Sequence, residues 1–102
     1  MVENYTLWHH GVATLEEFVS HIQDFTLDGL EGRITCPTLS VTAEGETEAA
    51  TRQAREFHER LRGPKRFVTL TAEADGADNH CGISNVPHTS ALIYDWLVDQ
   101  LG

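Results

Sequence analysis

An α/β architecture with parallel strands is predicted from three observations. Two short apolar runs, residues 34–42 and 67–71, read as buried strands. Between them lies one helical segment, with Ala50, Ala54, Phe57 and Leu61 on one face. A strand–helix–strand unit of this length implies parallel pairing through a right-handed crossover. With a helix before and a helix after, the predicted order is helix, strand, helix, strand, helix.

The elements follow in turn. Residues 1–13 carry no firm signal. A first helix opens at Thr14, where Thr14-Leu15-Glu16-Glu17 fits a capping box, and ends near Asp24. Leu15, Phe18, Val19 and Ile22 form its apolar face, and His21 lies off it. Residues 25–32 form a loop punctuated by Gly29 and Gly32. The first strand, 34–42, accepts Pro37 near its start. An acidic loop then leads to the second helix, 48–62, which has acids early and arginines late, as the helix dipole favours. Gly63-Pro64 stops it before the second strand. The last helix begins around residues 85–89, with Pro87 in its opening turn. Leu92 or Ile93, Trp96, Leu97 and Leu101 supply its inner side. Trp8 and Trp96 read as core residues.

The chain has 102 residues and a formal charge of −9. That charge argues against nucleic acid and against anionic membrane surfaces as partners. No long apolar run predicts a membrane span, and residues 1–5 lack the pattern of a signal peptide. The expectation is a cytoplasmic protein in which Cys36 and Cys81 are free thiols. No cofactor motif is present. His9 and His10 invite a metal hypothesis, extended by His80. Neighbouring side chains point apart, however, so packing or solvation is the expected role and no metal site is assigned.

Chemistry is expected around His80. Gly76-Ala77-Asp78-Asn79-His80-Cys81 follows the second strand directly, and the C-terminal ends of parallel strands are where open α/β sheets bind and react. The acidic loop follows the first strand, so it reaches the same rim. Glu44, Glu46 and Glu48 are thus all candidates to orient the imidazole. Cys81 is expected to be a packed thiol, because adjacent side chains on a loop diverge.

Several segments, taken in order, resemble the C-terminal portion of α/β-hydrolase-fold enzymes. They are Leu27-Asp28-Gly29-Leu30, Ile34-Thr35-Cys36-Pro37-Thr38-Leu39, Ala43-Glu44-Gly45-Glu46 and Gln53-Ala54-Arg55-Glu56-Phe57. Gly63-Pro64-Lys65, the 76–81 loop and Asp95-Trp96-Leu97 complete the set. The likeness is to the esterase and prolyl-oligopeptidase-like branch, similar to dihydroxypseudooxynicotine hydrolases. It implies that residues 1–26 end a helical insert and that 27–102 hold the last two strands and helices of the core. It implies His80 as the triad histidine and Glu46 as the triad acid, with Glu44 and Glu48 as alternatives, although the family usually has Asp at that place. No G-x-S-x-G elbow occurs, and Ser20, Ser40, Ser84 and Ser90 all lack its setting. The implied function is acyl-bond hydrolysis on a small ester or amide substrate, with the nucleophile supplied by a missing N-terminal half. Two strands alone leave both sheet edges open, so an interaction module that dimerises through them is the alternative.

Overall fold

The computed structural model describes residues 2–102, with side chains from residue 4 onward. It is a mixed α/β structure built on a two-stranded parallel sheet. Helix α1 (Val2–His10) and helix α2 (Leu15–Ile22) form an N-terminal hairpin. A 3-10 turn, Glu31–Arg33, leads to strand β1 (Thr38–Ala43). Helix α3 (Glu48–Arg60) crosses to strand β2 (Lys65–Leu70). A one-turn helix α4 (Ala72–Asp75), a 3-10 segment His80–Asn85 and helix α5 (Val86–Leu101) complete the fold.

The strands pair in register from Thr38 with Lys65 to Ala43 with Leu70. Alternation sends Val41, Ala43, Val68 and Leu70 to one face, where Ala77 and Leu92 pack against them. The other face meets α3. There the Ser40 hydroxyl is hydrogen-bonded to His58 Nδ1 at 2.7 Å, and the Phe67 ring lies edge-on to His58. Arg55 stacks its guanidinium over Phe67, 4.9 Å from the ring centre. Among the described residues the buried apolar side chains are Ala43, Leu61, Leu70 and Ala77.

Local chemistry fixes the element ends. The Thr14 hydroxyl accepts from Glu17 N–H, and Glu17 accepts in return from Ala13 N–H, one residue before the expected partner. The Thr47 hydroxyl caps α3 by accepting from Ala50 N–H. The far end of α3 is closed by Lys65, whose ammonium donates to the carbonyls of His58, Glu59 and Leu61. Asn85 caps α5 through His88 N–H and ties it to α4 by donating to the Asp75 carbonyl.

Several sequence expectations need correction. Residues 2–10 are helical, although their apolar residues follow no helical stripe. The first strand starts at Thr38, whose N–H donates to the Pro64 carbonyl, directly after Pro37, which has no N–H to give to a ladder. Trp8 is 77% exposed and is no core residue. Leu15, Val19 and Ile22 are also exposed, since α2 packs on α1 rather than on the sheet. In α5 the inward residues are Thr89, Leu92 and Trp96, while Leu97 and Leu101 stay exposed because two strands are too narrow to cover them. Arg60, half exposed, bonds Asp28 at 3.0 Å and the buried Glu31 at 3.2 Å. The Glu31 carboxyl lies below its usual pKa range, chiefly through its own backbone N–H and secondarily through Arg60.

Candidate functional site

The rim at the C-terminal ends of β1 and β2 gathers the chemistry. The sheet ladder continues one step beyond the strands, as Glu44 N–H donates to the Leu70 carbonyl. The chain then turns back, with Glu46 N–H donating to the Ala43 carbonyl. Gly45 presses against the other loop and donates its N–H to the Asp78 carbonyl at 2.8 Å. A Cβ at position 45 would collide with that carbonyl, so the approach of the two loops requires glycine there.

The second loop is shaped by part-buried polar ties. Asp75 accepts from Thr71 N–H and from His88 Nε2, which clamps α4 against α5. The Asp75 carboxyl is held below its usual pKa range, first by the Thr71 N–H and next by His88. The chain then turns tightly at Gly82, with φ of 66°, wedged against Leu70 and Thr89. The Thr89 hydroxyl donates to the Gly82 carbonyl. A Cβ at position 82 would lie 2.5 Å from the Thr89 hydroxyl oxygen.

These two loops bring Glu46 and His80 together. Nδ1 of His80 lies 2.5 Å from Oε1 of Glu46. The carboxylate is largely shielded, whereas the ring is 73% exposed. A carboxylate on Nδ1 keeps the proton on that nitrogen and leaves the Nε2 lone pair free to act as a base. Glu44 plays a different part, accepting from Ala72 N–H at 2.8 Å and so capping α4. Glu48 stands exposed in the first turn of α3. Ser84 lies 3.4 Å from Asn79 N–H, within the loop.

Cys81 departs from the sequence expectation. Its Sγ is 3.1 Å from His80 Nε2, and it is exposed rather than packed. Divergence of neighbouring side chains fails here because Cys81 adopts φ 56° and ψ 17°, a left-handed turn that folds its side chain back over the ring. Among the described residues it is the one non-glycine at positive φ. The Cys81 N–H also donates to Glu46 Oε1 at 3.3 Å. The signal for this was the Cys-Gly pair after His80, since glycine marks the tight turn, but the conformation of the cysteine itself had no sequence marker. Glu46, His80 and Cys81 share a cavity of about 230 Å³ with Val41, Thr42, Ala50 and Ala54.

Among the described residues, the same three side chains are the one His/Cys/acid group close enough to share an ion. In this arrangement the acid contacts Nδ1 and the thiol contacts Nε2 of the same ring, so the three side chains engage one another directly. His9 and His10 lie elsewhere, in aromatic packing. His9 stacks on Tyr5, and His10 meets Phe18 and His21 edge-on. Both cysteines are free thiols. No helix among the described residues is long and apolar enough to cross a membrane. No protein-family model, curated protein or solved structure matches the chain.

Proposed function

We infer that this chain provides the acid and base of an α/β-hydrolase-type site for ester, amide or related acyl bonds. In this reading Glu46 holds the ring and His80 relays the proton. A serine hydroxyl from a separate N-terminal segment attacks the acyl carbon. The observation that carries the reading is the 2.5 Å contact between Glu46 Oε1 and His80 Nδ1, on a ring that is otherwise largely exposed. The substrate is a small acyl compound in a cytoplasmic setting. Without the serine elbow and its oxyanion donors, sustained turnover by these residues alone is expected to be negligible.

The test is to read and express the DNA immediately upstream, in frame with Met1. The expected result is a joined protein with a G-x-S-x-G segment that hydrolyses p-nitrophenyl esters. Replacing His80 by Ala should lower its kcat about 10⁶-fold. Continuous His80-dependent turnover by the 102-residue chain would contradict the division of labour.

A second reading is favoured by a separate observation. Among the described residues both outer edges of the two-stranded sheet are unpaired, and Cys36, Pro37, Leu39, Ile93, Trp96 and Leu97 line an apolar groove beside β1. On that reading the chain is an interaction module that dimerises through its sheet edge or complements the strands of a separate half.

A further inference from the structure

We propose that Cys81 is a nucleophile served by His80 within this chain, accepting an acyl group from an activated ester or thioester of a short-chain acid. This rests on the Glu46–His80 pair acting as a base, and goes beyond it by assigning a nucleophile where the sequence offered none.

Three features converge on this assignment. The thiol sulfur stands 3.1 Å from Nε2, the nitrogen that a carboxylate on Nδ1 leaves unprotonated. One carboxylate oxygen governs both partners, fixing the ring through Nδ1 and the Cys81 backbone through its N–H. The sulfur also borders the 230 Å³ cavity, whose apolar lining of Val41, Ala50 and Ala54 suits a short aliphatic acyl chain rather than a charged or bulky one. A thiol is an apt nucleophile for a site without a serine elbow, because sulfur needs less activation than a hydroxyl.

The chemistry balances without redox change. The sulfur adds to the carbonyl carbon as the thiol proton passes to Nε2, and Glu46 stabilises the resulting imidazolium. The tetrahedral adduct collapses with cleavage of the bond to the leaving alkoxide, aryloxide or thiolate, which departs with the Nε2 proton. The products are an acyl thioester on Cys81, a neutral His80 and the free alcohol, phenol or thiol. One acyl group is taken per chain.

The complete 102-residue chain carries its own control, since Cys36 is also an exposed free thiol. Peptide mass spectrometry after limiting iodoacetamide should show Cys81 alkylated about tenfold faster than Cys36 or more, with the ratio falling towards unity in H80Q. p-Nitrophenyl acetate should release one equivalent of phenolate and leave the acetyl group on Cys81, and C81S should abolish this burst. Equal alkylation of the two cysteines, or a Cys81 rate unchanged in H80Q, overturns the proposal. So does the absence of acetyl on Cys81. The two readings fail separately. If only the thiol assignment is wrong, Cys81 is unreactive while the Glu46–His80 hydrogen bond persists in the imidazole NMR spectrum. If His80 is no base, that coupling is lost as well.

Discussion

At the scale of single residues, function and stability draw on different histidines. His80 is exposed and tethered at both ring nitrogens. His58 is packed between Ser40 and Phe67, and burial pushes its pKa below the ordinary 6.5, helped by the positive charge of Lys65. A depressed histidine binds its proton more readily in the unfolded chain. Its contribution is therefore present above 6.5 and is lost as pH falls through the lower folded value. Asp75 acts with the same sign at more acid pH: its folded value lies below 3.8, so its stabilisation disappears only as pH drops beneath that. The urea midpoint of the wild-type chain should fall between about pH 7 and pH 5, and fall less in H58Q, which keeps an acceptor for Ser40. Parallel profiles for the two proteins would show that His58 does not carry the effect.

At the scale of elements, legibility followed local chemistry. The start of α2 could be read because Thr14 announces it, and the end of α3 because Gly63-Pro64 stops it, whereas the Thr47 cap of α3 emerged only in the structure. The parallel pairing followed from the strand–helix–strand order, and the rim location of His80 followed from the pairing. Glu44, Glu46 and Glu48 could not be separated by pattern alone. The resemblance favoured Glu46, and the geometry separates them through Gly45, whose contact with the Asp78 carbonyl turns Glu46 towards the imidazole and leaves Glu44 to cap α4. The Cys81 conformation was illegible because a left-handed cysteine is fixed by its surroundings, namely the Gly82 wedge between Leu70 and Thr89. The α2 face was legible as a pattern but not as burial, since periodicity reports which residues share a side and not what covers them.

At the scale of the whole molecule, the chain is more open than its length requires. Its radius of gyration is 16.7 Å, against about 13 Å for a compact domain of ~100 residues. Its accessible surface is 7569 Å², whereas a folded monomer of this mass exposes about 5,800 Å². The difference, about 1,800 Å², is roughly twice what one partner buries in a standard protein–protein interface. Exposed Leu15, Val19, Phe25, Leu97 and Leu101 contribute to it, as do the open sheet edges. Both functional readings therefore expect association, either with further strands or with a second copy. Light scattering coupled to size exclusion should show concentration-dependent self-association of the isolated chain. A well-folded monomer that stays monomeric as concentration rises would count against both.

Everything proposed for the rim depends on two parallel strands delivering one carboxylate and one imidazole to each other. Imidazole NMR of the ¹⁵N-labelled chain tests this most directly. A single downfield Nδ1–H resonance from His80 is predicted, lost in E46Q and retained in E44Q and E48Q. A His80 signal unchanged by E46Q, or abolished instead by E44Q or E48Q, would contradict the account.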